Sequence, residues 1–229
     1  MAFHFQLGQL STLTDALPVL SGAWFFRNAR KELLILFFFF YLVTLQDYLS
    51  MLISTYHHPN VWLMNGYQWI EVLFYSFFLH RFIFHEKRKQ LMYLVLVSLC
   101  LLWLHTTFFV YTVNEPNSVV RTIGSIMLIL YSGISLIRIS RDVSVFIFEN
   151  PYFWLASSCL IYFSFSLIVY SILPLVVGNE YPRQIYDPVW QVHSVLNIFS
   201  NLLFAIIFLC PSKTSRFQRN RSFSLLPSY

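Results

Sequence analysis

Charge is what this chain most lacks. Of its 229 residues only 11% are Asp, Glu, Lys or Arg, against about 25% in a soluble globular domain. In their place stand 57% hydrophobic and 20% aromatic residues, with a mean hydropathy of +0.61. A chain so composed cannot clothe itself in a wetted surface, which excludes a soluble enzyme and points to an integral membrane protein. A hydrocarbon core about 30 Å thick takes about 20 apolar residues per helix. The chain therefore has room for seven or eight spans, and no soluble catalytic or output domain is expected beside them.

Other scarcities narrow the chemistry. The cysteines are Cys100, Cys159 and Cys210, none in a predicted outer loop, so no disulfide framework is implied. Cys210, near a membrane exit, is read as a tolerated thiol or a lipidation site. The lysines are Lys31, Lys87, Lys89 and Lys213, all at the edges of apolar runs. A retinal Schiff base needs a lysine within a span, so covalently bound retinal is excluded. There is no HxxxH, HExxH or CxxC spacing, which leaves a zinc site weakly supported. Nor is there a GxSxG elbow for a serine nucleophile or a glycine-rich phosphate loop, and nothing suggests nucleic-acid binding. The opening MAFHFQLGQL has no basic n-region or small-residue cleavage site, so the first apolar segment is expected to be retained.

What is present is a series of apolar runs bounded by charged or turn-forming residues. They predict an all-α polytopic bundle of seven transmembrane helices over 3–26, 32–55, 61–82, 91–112, 118–138, 151–175 and 187–210, followed by a basic tail, 212–229, held near anionic lipid. The first run is the most polar, with Gln6, Gln9, Thr12, Thr14, Asp15 and Pro18. It reads as a span packed inside the bundle, the alternative being an amphipathic segment lying on the surface. ENPYFW starts the sixth span with Asn150 as N-cap and Pro151 in the first helical position. GNEYPRQIYDP reads as the longest outer loop, and the Phe37–Phe40 run as lipid-facing filling.

The net charge of +5 matters less than where it falls. Thirteen of the fifteen basic residues lie in the connections and tail around Arg27–Lys31, Arg81–Lys89, Arg138–Arg141 and Lys213–Arg221; Arg121 and Arg183 alone fall on the other side. By the positive-inside rule the first set is cytoplasmic. With seven spans the N-terminus is outside and the C-terminus inside.

The last span, WQVHSVLNIFSNLLFAIIF, raises the functional question. At a helical step of about 100° per residue, His193, Asn197, Ser200, Asn201 and Phe204 share one arc, continued outward by Trp190 and Tyr186. Val195, Ile198, Leu202 and Ile206 occupy the opposite side. Amide and imidazole groups are costly in hydrocarbon, so the polar arc is expected to face the bundle interior. Asp15, Asp47, Gln68, Glu71 and His105 fall at similar depths in other spans, between the midplane and the outer leaflet. Each has a structural reading as an interhelical hydrogen-bonding residue. Together they suggest a shared polar chamber.

Seven spans with an outer N-terminus is the topology of rhodopsins and G-protein-coupled receptors, but LHRFIFHE replaces a DRY-type triplet and no NPxxY follows NIFSN. LPVLSG, RNARKELLILFFFF, NVWLMNGYQWIEVLFY and HSVLNIFSNLLFA resemble the uncharacterised seven-helix integral membrane protein family of Bacteroidetes-type bacteria. The resemblance implies a bacterial cytoplasmic (inner) membrane and brings no catalytic residue with it. The expectation is a receptor- or sensor-like bundle binding a small amphipathic or lipid-derived ligand. Its lining would be Asp47, Gln68, Glu71, His105, His193, Asn197 and Asn201, with Tyr186 and Trp190 at the mouth, and signalling would need a cytoplasmic partner. An intramembrane metal-assisted lipid hydrolase is the alternative. A transporter comes third, since the chain shows no internal repeat and has few Gly and Pro in its spans.

Overall fold

A computed structural model describes residues 2–25, 31–56, 60–84, 89–110, 117–141, 146–178 and 183–210. The described chain is helical throughout and has no strand: α1 (Ala2–Thr14), α2 (Ala16–Phe25), α3 (Lys31–Thr55), α4 (Val61–Phe84), α5 (Lys89–His105), α6 (Ser118–Ser140), α7 (Pro151–Gly178) and α8 (Arg183–Leu209). Among the described residues, five stretches are long and apolar enough to cross a membrane: Leu33–Thr55, Tyr93–Val110, Ser118–Ser140, Pro151–Ser171 and Gln191–Leu209. The protein is a helical, multi-pass membrane protein.

The first predicted span is two helices. Pro18 has no N–H to give to the carbonyl of Thr14 and its ring clashes with that group, so helix α1 stops at Thr14 and α2 restarts at Ala16. The interruption is satisfied from a neighbour, the Thr44 hydroxyl donating to the Asp15 carbonyl at 2.7 Å. Elsewhere the helices overlap the expected apolar runs, with two features the sequence does not suggest. The turn Thr106–Val110 widens into a π-helix at the end of α5. Helix α8 begins at Arg183 and includes Pro188, so the second half of the predicted outer loop is helical. At the start of α7 the expected cap is in place, with Asn150 Oδ1 accepting from the Tyr152 N–H at 3.0 Å.

Pairwise packing closes a ring: α3 against α4, α4 against α6, α6 against α7, α7 against α8, and α8 against α1 and α2, which return to α3. Helix α5 stands outside this ring, against α4 and α6, and exposes Tyr93, Leu94, Val97 and Leu101. The tightest seams use small side chains. Helix α6 buries one face, Val120, Arg121, Gly124, Ser125, Leu128, Ser132, Ser135 and Ile139, and α7 answers with Ala156, Ser158 and Cys159. Below the polar layer lies an aromatic core. Phe39 stacks on Phe74 with centroids 3.8 Å apart, and Phe40 meets Phe204 at 4.9 Å. This corrects the lipid-facing reading of the phenylalanine run. Only Phe38 is exposed; Phe39 and Phe40 point inward, because four consecutive helical residues sweep most of a turn and cannot all face lipid.

Candidate functional site

The ring encloses a cavity of about 520 Å³. Every ring helix except α2 contributes to its wall. Val43, Met64, Phe40, Tyr75 and Phe204 are apolar or aromatic lining, and polar groups come from Ser11 of α1, Asp15 at the break between α1 and α2, Gln46 and Asp47 of α3, Asn65, Gln68 and Glu71 of α4, Arg121 of α6, Tyr162 and Tyr170 of α7, and His193, Asn197 and Asn201 of α8. The lining continues to Ser50, Asn60 and Val61, where α3 hands over to α4. Asn60 Nδ2 there donates to the Ser50 hydroxyl at 2.7 Å.

The polar arc of α8 meets α1. Asn197 Nδ2 donates to Ser11 Oγ at 2.9 Å and to Asp15 Oδ1 at 3.1 Å. Asn201 Nδ2 donates to the same carboxylate oxygen and to Thr14 Oγ1 at 3.2 Å. Val195 and Leu202 on the other side of α8 are exposed, as the arc predicts. The break between α1 and α2 thus presents Asp15 to α8 by its side chain and to α3 by its carbonyl. Asp47 of α3 lines the same cavity as Asp15.

Across the cavity Glu71 is ion-paired with Arg121, and both are 3% exposed. Arg121 also donates to the Tyr162 hydroxyl at 3.0 Å, and its guanidinium lies 4.9 Å from the Tyr170 ring centroid. A cation in the first turn of a helix opposes the helix dipole. Here the carboxylate and the aromatic faces offset that cost. His193 sits edge-on to Tyr162 and Tyr170, each at 6.4 Å between centroids.

The structure therefore brings together Asp47, Gln68, Glu71, His193, Asn197 and Asn201. Gln68 has a second attachment, its Nε2 reaching the carbonyl of Asn117 at 3.5 Å, while Asn65 Oδ1 accepts from the Asn117 N–H at 3.1 Å. His105 is a correction. It is exposed on α5, against Phe109 with centroids 5.5 Å apart, and lines no part of the cavity. Depth along a span was its only claim, and depth says nothing of which way a helix faces. Tyr186 and Trp190 lie on α8, but their side chains fall outside the described residues.

Arg121, Gln46 and Tyr162 are among the lining residues that the sequence reading does not single out. Arg121 was counted with the outer loop charges, and its signal was its place within α6, four residues after the capping Asn117. Gln46 neighbours Asp47, and Tyr162 carries no motif. No three His, Cys, Asp or Glu side chains among the described residues converge closely enough to hold a metal ion. Comparison with protein-family models, curated proteins and solved structures found no match.

Proposed function

We propose that this protein is a receptor- or sensor-like bundle that binds a small amphipathic or lipid-derived molecule in the central cavity and signals through a separate cytoplasmic partner. The observation that carries the proposal is the cavity itself. Its volume falls within the range of about 300–1,000 Å³ typical of small-molecule sites, and an aromatic floor beneath a polar wall suits a molecule with one apolar and one polar end.

The same reading takes the chain as seven spans in a bacterial cytoplasmic membrane, N-terminus outside, with α1 and α2 together forming the first and α4 the third. Helix α4 has 24 residues, about 36 Å at 1.5 Å per residue. Its hydropathy is lowered by Asn65, Gln68 and Glu71, which face the cavity rather than lipid. On this orientation the Ser50–Asn60 end of the cavity faces outward.

The test is to purify the protein in mild detergent, extract it, and identify bound small molecules by mass spectrometry alongside elemental analysis for metals. A co-purifying amphiphile is expected, lost on Phe204→Trp, which fills the floor, and retained on His105→Ala. Stoichiometric zinc that disappears on His193→Ala would instead support a hydrolase and overturn the binding reading.

A further inference from the structure

We infer that the polar end of the ligand is a protonated amine, seated between Asp15 and Asp47. This rests on the reading of the cavity as a small-molecule site and names the class of molecule it takes. The charges in the wall are the starting point. Glu71 is matched by Arg121. Asp15 accepts from the amides of Asn197 and Asn201, and among the described residues no cation is hydrogen-bonded to Asp15 or to Asp47. Two carboxyl groups that face one cavity repel when both are ionised, so the pair favours a ligand that brings positive charge.

A second observation, independent of the carboxyls, has the same polarity. Gln46 lines the cavity beside Asp47, is 9% exposed, and its Oε1 is buried with no hydrogen-bond partner among the described residues. A buried acceptor without a donor costs about 1–3 kcal/mol, so it marks a place where a donor belongs. Two carboxyl groups and an unbonded amide oxygen ask for a group with several N–H donors and one positive charge. A primary ammonium has three donors and that charge. A bare metal cation would satisfy the charge but leave most of a 520 Å³ space, and the Phe40, Tyr75 and Phe204 rings, without an occupant. Those rings fit the apolar body of an amine and attract its positive end through their faces.

The experiment uses three probes of similar shape on the intact protein in detergent: 2-phenylethylamine, 2-phenylethanol and 3-phenylpropionate, each titrated by calorimetry, with sodium chloride as a fourth arm read by thermal unfolding. The amine is expected to bind at least about tenfold more tightly than the alcohol, the scale of one added charge-assisted hydrogen bond, and the carboxylate no better than the alcohol. Asp47→Asn should erase the preference for the amine over the alcohol. Equal binding of amine and alcohol, or tighter binding of the carboxylate, overturns the amine assignment and leaves the cavity a ligand site. Stabilisation by sodium alone overturns it in favour of an ion. No binding by any probe, with nothing co-purifying, overturns both readings. The ranking in the unaltered protein needs no variant, so a poorly folding Asp47→Asn does not blunt the test.

Discussion

Arg121 is the residue on which the interior of this protein turns, and it shows how a single side chain can be misplaced by position alone. In sequence it stands near the end of an apolar run and counts as a loop charge. In the fold it is nine-tenths buried and paired with Glu71, fifty positions earlier. Removing one member of such a pair strands the other charge in a medium that cannot solvate it, at a cost of about 3–5 kcal/mol. Arg121→Gln and Glu71→Gln are each expected to destabilise the protein on that scale, and the double variant by clearly less than the two together. A double-mutant cycle read by denaturant unfolding in micelles checks this. Strictly additive losses would mean that the two groups do not depend on each other. The site was therefore partly legible in advance. Asp47, Glu71, His193, Asn197 and Asn201 announce themselves because polar groups in apolar runs are rare. Gln46, Tyr162 and Arg121 do not, since a tyrosine is ordinary in a membrane helix and an arginine near a helix end is ordinarily a boundary marker.

Among the elements, α6 shows what periodicity conveys and what it omits. Its boundaries, and the α7 cap at Asn150, follow from composition and turn chemistry, and the structure places them where those signals lie. The closeness of α6 to α4 does not follow, because Gly124 and Gly133 look alike in sequence. A β-carbon on Gly124 would lie 2.7 Å from Val72 Cγ2, whereas one on Gly133 would meet nothing within 4 Å. Val72 is 1% exposed and branched at its own β-carbon, so it cannot swing aside. Gly124→Ala should then cost about 1–3 kcal/mol through overpacking. Gly133→Ala should gain up to about 1 kcal/mol from helix propensity. Thermal unfolding of the two variants side by side is the measurement, and equal effects would show that α4 and α6 are not in contact at that level. The same limit explains the phenylalanine run. Composition says that four rings are apolar, and only the neighbours α4 and α8 determine that Phe39 and Phe40 turn inward.

For the molecule as a whole, burying Arg121 removes one of the two exceptions to the charge asymmetry expected from the sequence. With Arg121 tied to Glu71 inside the bundle, Arg183 is the one remaining basic residue on the side opposite the thirteen. Two sets of contacts join helix ends at the two ends of the bundle. At one end the Cys210 thiol reaches the Phe148 carbonyl at 3.6 Å and Trp154 Nε1 donates to the same carbonyl at 2.9 Å, joining the end of α8 to the connection before α7. At the other, Asn60 meets Ser50 and Asn117 meets Asn65 and Thr106, joining the ends of α3 and α5 to the starts of α4 and α6. A chain that alternates sides at every connection must place these two sets of contacts on opposite faces of the membrane. Reporter fusions after Arg30, Lys89, Arg141 and Tyr229 are accordingly expected to be cytoplasmic, because each follows or lies within a basic block. A reporter between Asn114 and Asn117 should be outside. Finding any of the first four outside would break the alternation and with it the outward direction of the cavity. The N-terminus is a separate measurement. If α1 and α2 cross together, as the packing of both against α8 supports, a reporter fused before Met1 is expected outside; if it is found inside, the other spans keep their orientation and the first becomes a re-entrant hairpin bent at Asp15.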